Sequence, residues 1–219
     1  MWFGLPLGAG RWASPKAINM LPRFLYPVLA YRSMLAPFLA LSTVTVPIWL
    51  AVRLYYFRRH GLRLSLSREI LLLTFVVYLS GLASATLTPN HGSVARAETT
   101  AGIDFRPSLA SLTCSSAIMP EDSSERGFCV RNARGNVFLF LPLGILIPLI
   151  WRNLGFWRGV QIAIALSFSI ELLQYLSRAF GSYRLADVND VIMNVFGAGL
   201  GLGLVSVFRL REGAPPTPP

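Results

Sequence analysis

The chain has 219 residues, of which 53% are hydrophobic and 14% are charged, and its formal net charge is +10. Soluble domains carry about 25% charged residues, so this composition excludes an ordinary soluble protein and indicates a protein embedded in a lipid bilayer. A basic surplus is also typical of nucleic-acid binding. Here the arginines cluster in short linkers between apolar segments, so no nucleic-acid partner is predicted.

Residues 1–34 are interpreted as an amino-terminal extension that lies along the membrane interface. Its basic residues are Arg11, Lys16, Arg23 and Arg32. Two alternatives stay open: the true start is Met20, or the first apolar segment is not a simple crossing. The opening letters "MWFGLPLGAG" lack the basic leader that is typical of a secretory signal.

Residues 35–208 are predicted to form one transmembrane domain, since a membrane-spanning helix needs roughly 17 to 25 apolar residues. The apolar segments, numbered span one to span five, are Ala36–Phe57, Ile70–Thr88, Asn136–Ile150, Val160–Leu176 and Val191–Phe208. The third is too short to cross a hydrocarbon core of about 30 Å at about 1.5 Å per residue. It must therefore borrow flanking residues, thin the bilayer locally or lie inside the bundle. Its prolines, Pro142 and Pro148, favour burial among the other helices. The predicted fold class is an all-α polytopic membrane bundle of about five helices.

The linkers fix the predicted orientation. Arginines cluster in three segments: between spans one and two, between spans three and four, and after span five. They are Arg58, Arg59, Arg63 and Arg68 in the first segment, Arg152 and Arg158 in the second, and Arg209 and Arg211 in the third. In a five-span chain these segments face the same side, which the positive-inside rule makes cytoplasmic. We therefore expect a multi-pass protein of the bacterial plasma membrane with a cytoplasmic carboxy terminus. The proline-rich tail, residues 209–219, is predicted to be disordered.

A polar segment, residues 89–135, separates spans two and three and is predicted to be an external loop rather than a folded domain. Both cysteines of the chain, Cys114 and Cys129, fall in this segment. An oxidising compartment would permit a disulfide between them. Two unpaired thiols remain the alternative, because a pair of cysteines in a sequence fixes no geometry.

Polar side chains inside the apolar segments are the candidate site, because ionisable groups in membrane spans are costly and usually face the bundle interior. Glu171 and Gln174 share one helix face in span four. Counting the crossings places them at the same membrane surface as the start of spans three and five. The candidate residues at this surface are Asn136, Glu171, Gln174, Arg184, Asp187, Asp190 and Asn194.

Two interpretations of this cluster stay open. In one, the amides are hydrogen-bonded glue between helices, and Asp187 and Asp190 cap the start of span five. In the other, Glu171 and Asp190 bind a cation or a charged headgroup, or act as acid and base. No cofactor and no metal site is predicted, although a hard cation on Glu171, Asp187 and Asp190 is an alternative.

Glycines of span five are predicted to pack against spans three and four, because small residues let helices approach closely in lipid. They form two pairs at spacing four: Gly197 with Gly201, and Gly199 with Gly203.

Three stretches, "NVFLFLPLGILIP", "SIELLQYL" and "YRLADVNDVIMNVFGAGLG", occur in this order. Together they resemble the VanZ-like family of bacterial integral membrane proteins, over roughly residues 35–208. The resemblance implies a multi-span helical protein of the cell envelope, in a family whose founding member is associated with low-level resistance to the glycopeptide teicoplanin.

We therefore expect an envelope protein that binds a lipid-linked component, either a cell-wall precursor or an anionic lipid headgroup, at its outer polar cluster. One alternative is an intramembrane enzyme that uses Glu171 and Asp190 on a lipid-phosphate or a lipid-linked sugar. A second alternative is a small cation- or proton-coupled carrier.

Overall fold

The structure, a computed structural model, describes residues 32–61, 65–87, 103–104, 106–115, 123–177 and 186–212. In chain order its elements are α1 (Arg32–His60), α2 (Leu66–Leu87), β1 (Ile103–Asp104), α3 (Leu109–Thr113), α4 (Ser124–Ile150), α5 (Phe156–Leu176), β2 (Ala186–Asp187) and α6 (Val188–Glu212). The candidate residue Arg184 lies outside the described residues, as do residues 1–31 of the predicted extension.

Five helices, α1, α2, α4, α5 and α6, are long and apolar enough to cross a membrane. The predicted all-α polytopic class is therefore confirmed. The described residues add one small element that the hydropathy pattern did not predict. Strands β1 and β2 form a parallel pair in which Ile103 aligns with Ala186 and Asp104 aligns with Asp187.

Helix α4 is much longer than span three. It begins at Ser124 and contains 27 residues, so the prediction of a loop through residue 135 is wrong for residues 124–135. Span three therefore reaches full length by borrowing flanking residues, which was one of the expected alternatives. The hydroxyl of Ser123 accepts a hydrogen bond from the Arg126 backbone N–H at 3.2 Å, which caps the helix. The polar first turns of α4 resemble a loop in composition, although their backbone is helical.

The last helix also extends further than the sequence predicted. Helix α6 continues to Glu212, so the predicted disorder of the tail is wrong for residues 209–212. The Arg209 guanidinium donates to the backbone oxygen of Pro148 and, at 3.4 Å, to that of Arg152. These carbonyls lie at the carboxy end of α4, where helix geometry leaves backbone oxygens without intrahelical partners. Arg209 therefore ties the end of α6 to the end of α4.

Helix α4 supplies the centre of the core. Its side chains Phe140, Leu143 and Ile147 are almost completely buried, which confirms the expectation that span three is buried among the others. They pack with Leu82 of α2 and with α5 and α6 side chains, which are Ala163, Ile170 and Ala198. Helix α1 lies at the periphery, where it packs against α2.

Helices α1 and α2 are joined by polar contacts along their length. At one end, the Arg53 guanidinium forms a two-point ion pair with the Glu69 carboxylate, with an Nε–Oε2 distance of 2.9 Å. At the other end, the Ser84 hydroxyl donates to the Met34 backbone oxygen at 2.7 Å. The end of α2 therefore lies beside the start of α1, as an antiparallel hairpin requires.

The closest helix contact joins the backbones of α4 and α6. A Cβ on Gly197 would lie 2.2 Å from the Val137 carbonyl oxygen, and one on Gly201 would lie 2.3 Å from that of Leu141. Glycine at these positions permits an approach that any side chain would block. Helix α4 contributes Gly144 in the same way, since its Cβ would lie 2.0 Å from the Ala198 oxygen.

The second predicted glycine pair does not take part in this contact. A Cβ on Gly199 or Gly203 would meet no atom within 4 Å among the described residues. The packing prediction is therefore wrong for these two glycines. Residues two positions apart on a helix point to nearly opposite sides, and only the side that carries Gly197 and Gly201 meets α4.

Replacing Gly201 with alanine should destabilise the bundle by about 1 to 3 kcal/mol, the typical cost of overpacking. The reason is that its new methyl group would collide with the α4 backbone. The matched control is Gly203→Ala on the same helix, which has the same intrinsic gain in helix propensity but meets open space. Unfolding of the purified variants in mixed detergent micelles measures the difference, and equal stability of the two variants would contradict the contact.

Candidate functional site

The ends of α2 and α5 meet the starts of α4 and α6 at one end of the bundle, which we call the polar end. Three hydrogen bonds define it. Gln174 Nε2 donates to the Thr86 backbone oxygen at 2.8 Å, the Asp187 N–H donates to Glu171 Oε2 at 3.2 Å, and Asn132 Nδ2 donates to Asp190 Oδ1 at 2.8 Å. These bonds link α5 to α2, α5 to β2, and α4 to α6.

Glu171 is the ionisable group that lies deepest in this end among the described candidates. It is on the buried stripe of α5, with Ser167, Ile170 and Gln174 at helical spacing, and its exposed fraction is 6%. The prediction that Glu171 and Gln174 share an inward helix face is confirmed by this burial. Its carboxyl group accepts a hydrogen bond from the backbone N–H of Asp187, so the stripe places this ionisable group at the junction of α5 and β2.

Two predicted site residues form hydrogen bonds between helices. Gln174, 7% exposed, holds the end of α5 against the Thr86 carbonyl of α2. Asn194, 3% exposed, donates through Nδ2 to the Ser167 hydroxyl of α5 at 2.9 Å. Such bonds average about 0.6 kcal/mol in membrane bundles, so these two side chains position α5 against its neighbours. Ser167 was not predicted, although it lies four residues before Glu171 on the same stripe.

Asp187 caps α6. Its Oδ1 accepts hydrogen bonds from the Asn189 backbone N–H at 2.8 Å and from Asn189 Nδ2 at 2.7 Å. A carboxylate in this position satisfies a backbone N–H that the first helical turn leaves unpaired. Asp190 accepts a hydrogen bond from Asn132 of α4. The two carboxylates that the spacing of the sequence placed together thus contact different elements of the bundle.

Residues 103–104 and 106–115 are attached to the polar end at several points. Strand β1 pairs with β2 next to the Glu171 contact, and the Ser108 N–H donates to Asn189 Oδ1 at 2.9 Å. A disulfide joins Cys114, at the end of α3, to Cys129 of α4. Asn189 was not predicted as a site residue, because its neighbour Asp187 is the stronger capping signal in the sequence.

Two buried amide atoms near this end have no hydrogen-bond partner among the described residues. They are the donor Nδ2 of Asn136 and the acceptor Oδ1 of Asn194. Leaving such an atom unpaired costs about 1 to 3 kcal/mol. Asn136 precedes Val137, whose carbonyl touches Gly197, so it lies beside the α4–α6 contact. The polar end therefore has capacity to donate and to accept further hydrogen bonds.

The three carboxylates of the cluster contact different partners. Glu171 meets the Asp187 backbone, Asp187 meets Asn189, and Asp190 meets Asn132. Within the described part of the chain, no group of three histidine, cysteine, aspartate or glutamate side chains is arranged to hold a metal ion.

Comparison with known proteins finds a family match over the part of the chain that forms the polar end. The sequence model of the VanZ/LLP1 family matches residues 70–209, a range that contains all the candidate site residues. A stretch of 69 residues is 35% identical to Protein VanZ of Enterococcus faecium, and it covers 32% of this chain and 40% of that protein. The match thus spans less than half the length of this relative. No solved structure matches the chain.

The disulfide can be tested by thiol labelling in the full-length protein. Because Cys114 and Cys129 are the only cysteines, a denatured sample prepared without reductant should take up no maleimide, and reduction should expose two thiols. The Cys114→Ser variant should expose Cys129 without reduction. Full labelling of the unreduced wild-type protein would show that the bond does not form. Loss of the bond should lower stability by about 3 kcal/mol for a loop of roughly 15 residues.

Proposed function

The chain belongs to the VanZ/LLP1 family, and from that premise we propose that it acts in the bacterial cell envelope by binding a lipid-linked envelope component at its polar end. The observation that carries this proposal is Glu171, a carboxylate that is 6% exposed inside an apolar membrane helix. Intramembrane ionisable groups are costly and usually mark a ligand or ion pathway.

The polar groups at this end of the bundle indicate the chemistry of the ligand. A carboxylate accepts hydrogen bonds from hydroxyl and amide groups, and bonds to a charged partner are the stronger kind. Asn136 Nδ2 and Asn194 Oδ1 add a buried donor and a buried acceptor. Sugars and peptides carry both kinds of group. A lipid-linked cell-wall precursor combines such a headgroup with a hydrocarbon chain that would stay in the bilayer beside the helices.

The other polar contacts support binding more than catalysis. Gln174, Asn194 and Asp187 hold helices together or cap them, which builds a rigid frame around Glu171. The proposed acid and base of the enzyme alternative, Glu171 and Asp190, contact β2 and α4 respectively. These contacts support a binding role, and binding is the function that we propose.

We further propose that the polar end faces outward and that the protein lies in the plasma membrane with its carboxy terminus in the cytoplasm. The opposite end carries most of the basic side chains of the long helices, among them Arg58, Arg59, Arg158 and Arg209, and Arg152 lies there in the turn after α4. The positive-inside rule assigns such an end to the cytoplasm. A disulfide at the polar end is also typical of an oxidising compartment.

We extend this proposal to a role in glycopeptide resistance. A protein that holds a lipid-linked precursor at the outer face would change how much of that precursor a glycopeptide can reach. The family resemblance supports this role, and the teicoplanin resistance associated with the founding member names the antibiotic to test.

The orientation predicts which reagent labels the cysteines in whole cells. After mild reduction, a membrane-impermeant maleimide added outside intact cells should label Cys129, the less buried of the two thiols, because the polar end faces that side. Labelling that appears only after the cells are lysed would place this end in the cytoplasm and contradict the proposed orientation.

The Glu171→Gln variant tests the binding site. Glutamine keeps the size of the side chain and can still accept the Asp187 N–H, but it removes the charge. Losing a hydrogen bond to a charged group costs about 1.5 to 3 kcal/mol, so we expect the co-purified lipid-linked species to fall by about tenfold or more. Mass spectrometry of lipids extracted from the gently purified full-length protein measures this, alongside the teicoplanin sensitivity of cells that express each variant.

The matched control is Glu125→Gln, the same change in an exposed glutamate in the first turn of α4. It should retain lipid and phenotype like the wild-type chain. Thermal unfolding of each variant separates loss of binding from loss of fold. If stable Glu171→Gln protein retains the same lipids and the same phenotype as wild type, Glu171 is structural only and the proposal is wrong.

A further inference from the structure

A groove lies between α4 and α6, just below the Asn132–Asp190 hydrogen bond. It has a volume of about 420 Å³ and is lined by Ala133, Arg134, Val137, Phe138 and Met193. The backbones of the two helices touch at Val137 and Gly197, so the larger side chains beside this contact form its walls. Phe138 is 68% exposed, and the groove therefore opens toward the surroundings of the bundle.

The groove has an apolar lining with a positive charge beside it. Four of its five lining residues are apolar, and the fifth, Arg134, lines it chiefly with its aliphatic stem and is exposed as a whole side chain. Among the described residues, Arg134 forms no ion pair with a carboxylate; the ion pair found there joins Arg53 to Glu69. Arg134 lies within the membrane-spanning range of α4, ten residues after Ser124. An arginine there extends its charge to the headgroup level while its stem covers apolar surface.

This arrangement matches the two parts of an anionic phospholipid. An acyl chain fills an apolar groove that faces the bilayer, and a guanidinium binds phosphate oxygens through two parallel hydrogen bonds. We propose that the groove is a specific site for an anionic phospholipid, with one acyl chain against Val137, Phe138 and Met193 and its phosphate on Arg134. None of these side chains belongs to the Glu171 contact, so the inference stands apart from the proposed function.

Fluorescence quenching by brominated lipids tests the site in the full-length protein. A Phe138→Trp variant places a fluorescent reporter in the groove. The protein is reconstituted in phosphatidylcholine bilayers that contain a fixed minority of a brominated lipid, which is either phosphatidylglycerol or phosphatidylcholine. Subtracting the fluorescence of the wild-type protein gives the signal of the added tryptophan. We expect phosphatidylglycerol to be preferred over phosphatidylcholine by about fivefold, as about 1 kcal/mol per arginine near an anionic headgroup implies.

Two further variants isolate the charge and the position. Adding Arg134→Gln to Phe138→Trp should abolish the preference, whereas adding Arg131→Gln, an exposed arginine one turn earlier that does not line the groove, should leave it unchanged. An Ile164→Trp variant reports on the half-exposed outer face of α5. It should be quenched equally by both headgroups, as expected for ordinary surrounding lipid.

Two outcomes would overturn the proposal. Equal quenching of the Phe138→Trp reporter by both lipids would mean that the groove holds only ordinary surrounding lipid. If neither lipid quenched this reporter while both quenched the one at Ile164, the groove would be covered by protein, such as a second copy of the chain. Circular dichroism and thermal unfolding confirm that each variant compared is folded.

Discussion

The backbone contact between α4 and α6 is the constraint on which the other contacts depend. Gly197 and Gly201 meet the Val137 and Leu141 carbonyls so closely that no side chain fits between them. In lipid, hydrophobicity does not drive helices together, and close packing of small residues supplies the attraction instead. This contact fixes the register of two helices that run in the same direction, while α5, which connects them in the chain, runs in the opposite direction.

That register decides where the polar groups meet. With α6 fixed against α4, Asp190 reaches Asn132, and Asn194 reaches Ser167 across to α5. Helix α5 is then placed so that its buried stripe brings Glu171 to the Asp187 N–H. A shift of one turn would move each of these groups by about 5.4 Å and leave several polar atoms unpaired in an apolar medium. Packing and polar pairing therefore select the same arrangement.

The polar end combines structural groups with one group that they surround. The amides of Gln174 and Asn194 bond to neighbouring helices, and Asp187 caps α6. The segment that bears β1 and α3 is tied down by strand pairing and by the disulfide to Cys129. Held by this frame, Glu171 is preorganised, and a preorganised polar group binds a ligand with less loss of conformational entropy.

The sequence by itself determined the membrane class, the five helices and the helix face that carries Glu171 and Gln174, because hydropathy and helical spacing are local properties. Only the tertiary structure decided that α4 begins at Ser124, that Gly201 packs while Gly203 does not, and which partner each carboxylate has. These depend on the rotation and depth of one helix against another. Contacts between distant residues set that rotation and depth, and composition and spacing along the chain do not record them.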